Sequence, residues 1–567
     1  MFSALYVFLG VVATASADGR AVRYAEDLVR GGDGVGVYAC AALPPEGVRC
    51  PTVIVRSPYI RNPDLSEATN RVPAAKMPAD SLPNRVLVQQ HCRGRGASEG
   101  LFVPYVSERE DGLALLDWVR RLPSYDGRIF LSGESYRATA HFAYMSADPR
   151  DVVGACLTVQ DCRRYNIIFR NGFFKIDLTG SWYKGNYHNK VPGRVRDETV
   201  PQTDFPLIDW SRRFFGAAEP AFDKPLLHPR ADDPFWASDD PDAGRDYGEA
   251  LTKSTMPVLL RTGFYDIYTE GVFDMWRSMT PERRANCALI VDAYDHGGEV
   301  QEALRGSYGE FPDGGRRHFG HAEDEWRAWC LGERAPSFTG FKKGMTTYYA
   351  LWENAWHTEP ELVDGPRRVK LPLATTPSEI GYVYDPRRKL PEFPGSGGIC
   401  FGGMRRQPEP GFRDDVKSFV LPPLTERLDV RGRMTARLSV KSDCEDTAFY
   451  VRVSVRKRDG AWYLLRDDIT SMCYVQGPYV PGTKRTLDYR FPDHAFRLEP
   501  GDALRIDVAS ASAAFAPHPN VPGNPSVCRA PRVARNVILP HESSIVLPVK
   551  PGKSSPRTSG GVQDEVY

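Results

Sequence analysis

The sequence predicts a parallel α/β domain carrying an insertion, followed by an all-β sandwich. Three observations lead there. Strand-like apolar runs alternate with helical patterns over residues 18–155 and again over 256–345, as in a parallel sheet with helices on its faces. Residues 156–255, between those stretches, are rich in aromatics, Arg, Asp and Pro and show few strand patterns, as an inserted helical cap would. Over 346–550, short alternating runs separated by turn residues replace the helices, which points to a β-sandwich of jelly-roll type.

The elements follow in order. Leu5–Ala13 is a short apolar run and Ala15-Ser16-Ala17 is a cleavage-type pattern, so residues 1–17 read as a signal peptide. The run is too short to span a membrane and no Lys or Arg precedes it. The expectation is an exported protein; the alternative is a partly buried N-terminal segment of a cytoplasmic one. Pro51–Arg56 and Arg85–Gln90 read as buried strands. Ser107–Leu122 carries Leu113, Leu116 and Val119 at helical spacing. Arg128–Ser132 is a strand and Tyr136–Ser146 a helix. After the insertion come strands Met256–Thr262 and Cys287–Val291, then a helix over Glu323–Leu331. Thr346–Leu351, Met434–Val440, Ala448–Val455, Ala461–Leu465 and Ala503–Val508 read as sandwich strands, and the polar 551–567 tail as disordered.

Composition excludes several classes of function. The 73 Lys and Arg against 72 Asp and Glu leave a net charge of +1, without the basic surplus of a nucleic-acid binder. Hydrophobic residues at 41% rule out global disorder. The 11 cysteines show no CxxC pair and no zinc spacing. In an exported protein Cys40–Cys50 and Cys156–Cys162 are candidate disulfides; the alternative is buried thiols. Arg93-Gly-Arg-Gly-Ala-Ser-Glu-Gly100 lacks the P-loop lysine and the dinucleotide-binding spacing.

The sharpest chemical signal is Leu131-Ser-Gly133-Glu134-Ser135-Tyr136-Arg137-Ala138, a strand entering Gly-x-Ser with a helix behind it. A strained strand-to-helix turn of this kind lifts a serine hydroxyl above an α/β-hydrolase sheet. Arg137 stands where the usual second glycine would be, and an ordinary strand–helix turn is the competing reading. Asp266 follows the Met256–Thr262 strand, and His296 lies in a glycine-containing loop after Cys287–Val291. Singly, Asp266 could be a turn residue and His296 a loop histidine. Together the order Ser135, Asp266, His296 is the nucleophile, acid, base order of α/β hydrolases. The chemistry needs a histidine to take the serine proton and a carboxylate to orient the imidazole.

These segments resemble the CocE/NonD hydrolases, a cocaine-esterase-like group related to X-Pro dipeptidyl-peptidases. The resemblance runs from about residue 25 to 525. Arg56-Ser-Pro-Tyr59 resembles the group's R-x-P-Y. His91-Cys-Arg93-Gly94-Arg95-Gly96-Ala-Ser98-Glu99-Gly100 is similar to its D-x-R-G-x-G-x-S-x-G loop. Gly133-Glu-Ser135-Tyr136-Arg-Ala138 matches G-x-S-Y-x-[GA], in which Arg137 is no defect. Gly263-Phe-Tyr-Asp266 resembles G-W-Y-D, and Tyr294-Asp-His296-Gly297 resembles W-x-H-G. Pro500–Ser510 and His518-Pro-Asn520 resemble the C-terminal jelly roll, a galactose-binding-like sandwich.

The resemblance implies a serine hydrolase acting on acyl esters, amides or short peptides, with no metal and no organic cofactor. Ser135 would be the nucleophile, His296 the base and Asp266 its orienting acid. The Tyr59 hydroxyl and the Tyr136 backbone N–H would form the oxyanion hole. Tyr268, Phe169, Phe173 and Trp182 are expected to line the substrate pocket. Four departures bear on this. His91 replaces the usual Asp, Phe264 replaces Trp, and Asp295 beside His296 is a rival carboxylate. Ile267-Tyr268-Thr269, with Glu270 only later, lacks the carboxylates that follow the acid in α-amino ester hydrolases, so a free α-amine on the substrate is not supported. An X-Pro dipeptidyl-peptidase-type exopeptidase and a degenerate binding protein are the alternative functions. The sequence leaves the oligomeric state open.

Overall fold

Near-continuous Val, Ile and Leu runs are the signature of strands covered on both faces, and here they assemble an eleven-stranded mixed sheet. The structure is a computed structural model describing residues 10–15, 21–59, 84–180, 182–183, 203–238, 244–297, 320–373, 377–395, 403–551 and 563–565. In chain order the strands are β1 (Gly10–Ala15), β2 (Ala21–Arg30), β3 (Gly36–Leu43), β4 (Cys50–Ser57), β5 (Val86–His91), β6 (Tyr125–Glu134) and β7 (Val152–Thr158). A short hairpin follows, β8 (Phe169–Arg170) and β9 (Phe173–Phe174). Then come β10 (Val258–Tyr265), β11 (Ala288–Asp295), β12 (Thr346–Ala350) and β13 (Ala355–Glu359). The sheet order is β1-β2-β3-β5-β4-β6-β7-β10-β11-β12-β13, parallel from β5 through β12.

Four helices cover the parallel part: α1 (Glu108–Arg120), α2 (Tyr136–Met145), α3 (Thr269–Ser278) and α4 (Ala322–Cys330). The pleat sends successive side chains to opposite faces. Val53, Phe130, Cys156, Leu259 and Ile290 therefore meet Trp326 of α4 on one face, whereas Ile54, Leu131, Leu157 and Leu260 join the larger core with Leu115, Leu116 and Phe142 of α1 and α2. The chain leaves β4 for β5 on one side and returns to β6 on the other. That reversal opens a crevice beyond the carboxyl ends of β4 and β6, where ligands bind in open α/β sheets.

Beyond Glu359 the chain builds two antiparallel sheets. One has five strands, in the order Arg406–Gln407, Trp462–Ser471, Ala448–Arg456, Ala503–Ala509, Lys417–Val420. The other has nine, and Thr435–Ser442 and Ser544–Lys550 lie near its centre. This sandwich grips the α/β domain beside β10 and α3. The Tyr265 hydroxyl donates to the Leu464 carbonyl at 2.9 Å, and Arg277 of α3 meets both oxygens of buried Asp493 at 2.7 Å.

Several expectations need correction. Thr346–Ala350, expected to open the sandwich, instead pairs in parallel with β11, where all five of its residues are buried. The insertion begins after Thr158, the last residue of β7. It is less helical than expected, with helical turns of six residues or fewer among the described residues. It also contains the β8–β9 hairpin, whose Asn171-Gly172 turn has positive φ at both residues, the requirement of a tight hairpin.

The two candidate disulfides are absent, and Cys40, Cys50, Cys156 and Cys162 are all free. Cys40 and Cys50 lie on β3 and β4, which β5 separates. Two strand spacings are roughly 9.5 Å, beyond disulfide reach. Cys156 and Cys162 pack into different cores, on opposite faces of the sheet. Of the expected disordered tail, Gln563–Glu565 pairs with residues 368–370, and residues 552–562 and 566–567 lie outside the described residues. Of the expected leader, Gly10–Ala15 pairs with β2, while residues 1–9 and 16–20 lie outside the described residues.

Candidate active site

Ser135 sits between β6 and α2 with φ 57° and ψ −132°. A non-glycine residue there costs about 1–3 kcal/mol, and such strain persists only when surrounding packing enforces it. The enforcement is visible. A Cβ on Gly133 would lie 2.6 Å from the Arg137 carbonyl oxygen and 2.7 Å from the Ala138 nitrogen. The strand and the helix start can approach this closely only over glycine. The turn leaves the Tyr136 N–H at the first turn of α2, where backbone donors have no helical acceptor.

Tyr59 follows β4, Asp266 follows β10 and His296 follows β11. The three therefore meet Ser135 at one sheet edge. His296 Nε2 is 3.0 Å from Ser135 Oγ, and His296 Nδ1 is 2.7 Å from Asp266 Oδ2. The second Asp266 oxygen accepts the Tyr268 N–H at 2.7 Å, and Thr269 Oγ1 donates to the Asp266 and Gly263 carbonyls. Gly263 is obligatory in this loop, because a Cβ there would stand 2.0 Å from the Tyr294 carbonyl oxygen. Asp295, the rival carboxylate, accepts the Gly297 N–H at 3.0 Å, while His296 pairs with Asp266. Burial favours the neutral imidazole. The charge and hydrogen bond of Asp266, with smaller contributions from Glu134 and Asp295, outweigh it and hold the His296 pKa above its ordinary value.

The Tyr59 hydroxyl donates to Ser135 Oγ at 3.2 Å and accepts the Tyr136 N–H at 3.3 Å. Burial pushes its pKa up, so it stays a neutral donor. Arg95 secures the approach by donating to the Pro58 carbonyl at 2.6 Å, and the Arg137 guanidinium covers the Tyr59 ring at 5.5 Å. His91 is buried away from the crevice. Its Nδ1 accepts the Ala97 N–H at 3.4 Å and its ring meets Tyr38 at 4.9 Å, so it shapes the 91–100 loop.

The expected pocket residues divide. Trp182 and Tyr268 border the cleft at Ser135, which holds about 20 Å³, room for roughly one water. Trp182 stacks on Tyr136 at 5.4 Å, and the Tyr268 ring stands edge-on to His296 at 5.5 Å. Phe169 lines a neighbouring cavity and stacks on Tyr165. Phe173 packs into the sandwich core beside Tyr450 and Phe515, away from Ser135, because the hairpin turn at Asn171 swings it outward.

Tyr105, Gln160 and Arg164 also line the cleft, and sequence reasoning missed them. Gln160 was accessible in principle, since it follows β7 at the same sheet edge. Also missed was a buried network under α2. The Tyr136 hydroxyl donates to Glu108, which pairs with Arg56 at 3.1 Å, and Arg56 bonds Gln90 and the Ala140 carbonyl.

The fold and this geometry define an α/β hydrolase. Comparison with known proteins agrees: residues 33–298 match the X-Pro dipeptidyl-peptidase (S15) family, and residues 351–542 match the X-Pro dipeptidyl-peptidase C-terminal non-catalytic domain. A cocaine esterase from Rhodococcus sp. (strain MB1 Bresler) is 24% identical over 560 residues, covering 89% of this chain and 90% of its own. An α-amino acid ester hydrolase has the same fold, with a TM-score of 0.78 at 17% identity, covering 96% of this chain and 99% of its own. An aminopeptidase from a marine sediment Thaumarchaeota archaeon has a TM-score of 0.75 at 19% identity, with the same coverage. The chain thus carries an S15-type domain and its C-terminal companion and is a hydrolase related to cocaine esterase. Among the described residues no group of His, Cys, Asp or Glu could hold a metal ion, and no helix is long and apolar enough to cross a membrane.

Proposed function

We propose that this protein is a serine hydrolase that cleaves acyl esters or amides of small molecules through an acyl-enzyme on Ser135. The observation that carries the reading is the unbroken chain of contacts from Tyr59 through Ser135 and His296 to Asp266. Ser135 Oγ attacks the carbonyl carbon while His296 Nε2 takes its proton. Asp266 holds the ring with Nδ1 protonated and stabilises the imidazolium. The carbonyl oxygen gathers negative charge between the Tyr59 hydroxyl and the Tyr136 N–H. His296 returns the proton to the leaving alcohol or amine as the carbon–oxygen or carbon–nitrogen bond breaks. Water then repeats the sequence on the acyl-enzyme and frees the acid.

The test is fluorophosphonate labelling with the adduct mapped by mass spectrometry, followed by turnover of p-nitrophenyl esters, aryl amides and Xaa-Pro amides. A single adduct on Ser135, absent from Ser135→Ala, supports the reading. Folded wild-type protein that takes no label refutes it and favours the binding-protein alternative. Export through the 1–17 leader belongs to the same proposal, and the N-terminal mass of the protein recovered from its native compartment checks it.

A further inference from the structure

Tyr136 is held at both ends. Its backbone N–H points at the Tyr59 hydroxyl at 3.3 Å, where a carbonyl oxygen would gather charge. Its own hydroxyl, at the far end of the ring, donates to Glu108 Oε1 at 2.9 Å and accepts the Tyr105 N–H at 2.8 Å. The side chain is buried and Trp182 stacks on the ring, so anchoring the hydroxyl also anchors the first residue of α2.

The other oxyanion donor is tied to the same carboxylate. Arg56 stands on β4, three residues before Tyr59, and its Nη2 meets Glu108 Oε2 at 3.1 Å. Its Nη1 donates to the Glu108 carbonyl at 2.7 Å and to the Ala140 carbonyl of α2 at 2.6 Å, and its Nε donates to Gln90 at 2.6 Å. Glu108 therefore gives one oxygen to each half of the oxyanion hole. Oε1 holds the residue that supplies the N–H, and Oε2 holds the strand that leads to the hydroxyl.

Stability is a poor reason for this arrangement. Arg56 and Glu108 are both buried, and apolar side chains of similar volume in place of a buried ion pair are often as stable or more so, because desolvation offsets the attraction. What the pair supplies is direction. The planar guanidinium and the carboxylate fix both distance and angle.

We propose that Glu108 is a positioning residue for the oxyanion hole, bridging Arg56 and Tyr136 so that the Tyr59 hydroxyl and the Tyr136 N–H keep the spacing a single oxygen needs. The brace rests on the Ser135 hydrolase reading and adds to it a part that never touches substrate.

The experiment is a double-mutant cycle on p-nitrophenyl butyrate, with urea unfolding of every variant. Tyr136→Phe removes the hydroxyl and leaves the backbone N–H. Alone, it should lower kcat about tenfold or more, as small misplacements of catalytic groups do, with KM within about threefold. In the Tyr59→Phe background one donor is already gone and no spacing remains to be held, so the same change should cost less than about threefold. A general loosening of the fold would instead multiply the two losses. A second pair separates position from stability, and it decides the matter if Tyr136→Phe does not fold. Arg56→Met with Glu108→Leu should be more stable than Arg56→Met alone, yet keep kcat about tenfold or more below wild type. An unchanged kcat in Tyr136→Phe, equal losses in both backgrounds, or a kcat that returns with stability in the apolar pair overturns the brace alone. A wild type that neither cleaves the ester nor takes fluorophosphonate at Ser135 refutes the Ser135 reading, and the brace falls with it.

Discussion

Replacing Tyr59 by Phe removes one oxygen and leaves the ring packed under the Arg137 guanidinium. The lost hydroxyl lies 3.2 Å from Ser135 Oγ and 3.3 Å from the Tyr136 nitrogen. Two donors that close can both reach an oxygen at roughly 2.8–3.0 Å, ordinary hydrogen-bond range. In the resting enzyme the hydroxyl makes a neutral bond worth about 0.5–1.5 kcal/mol net. Against a developing oxyanion the same donor is worth about 2.7–4 kcal/mol, or roughly a hundred- to a thousandfold in kcat. The difference falls on the transition state, so KM should stay within about threefold. Steady-state kinetics on p-nitrophenyl butyrate, with unfolding midpoints to show an intact fold, measures both. A kcat within about threefold of wild type would remove Tyr59 from the oxyanion hole; a raised KM at constant kcat would make it a ground-state contact.

The remaining predictions test other parts of the site and its support. Asp266 holds the His296 pKa above its ordinary value, and the base must be neutral, so kcat/KM should fall as pH drops through a pKa above about 6.5. Asp266→Asn should move that acid limb to lower pH and cut kcat by about 10⁴-fold, the size seen when the orienting acid of a serine protease is changed; an unmoved limb would contradict the pairing. Gly133→Ala places a methyl 2.6 Å from backbone, so it should lower the unfolding free energy measured in urea by about 1–3 kcal/mol and kcat more than tenfold. Arg56→Met strands the buried Glu108 and should cost about 3–5 kcal/mol, whereas adding Glu108→Leu should recover part of it. A double variant less stable than either single one would deny that Arg56 and Glu108 act as a pair. Thiol titration of denatured, unreduced protein should find at least the ten free cysteines of the described residues; fewer would reveal disulfides.

The site was legible where local backbone chemistry makes demands that only particular residues meet. Gly133 and Ala138 are small because a strand and a helix start nearly touch there, and such a requirement shows as a short motif. Asp266 and His296 were legible by order, since each follows a strand whose apolar run marks it as interior. The β12 strand was harder. Thr346–Ala350 lies close to the sandwich in sequence, and its pattern suits either sheet. Pairing with β11 decided between them, and pairing is a long-range property. The cap resisted for a similar reason. Phe169 and Phe173 look alike in sequence, yet one hairpin turn sends the second into another core.

By itself the sequence determined the layered α/β architecture, the sandwich after it, and the residue types for a nucleophile, a base and an acid. Strand periodicity, turn chemistry and motif spacing are local, so one chain displays them. Tertiary structure alone decided that Ser135, His296 and Asp266 come within 3.0 Å of one another in succession, that Tyr59 reaches the same point, and that the ten cysteines among the described residues stay unpaired. These are distances between residues far apart in the chain, and the packing of separate strands, helices and sheets determines them.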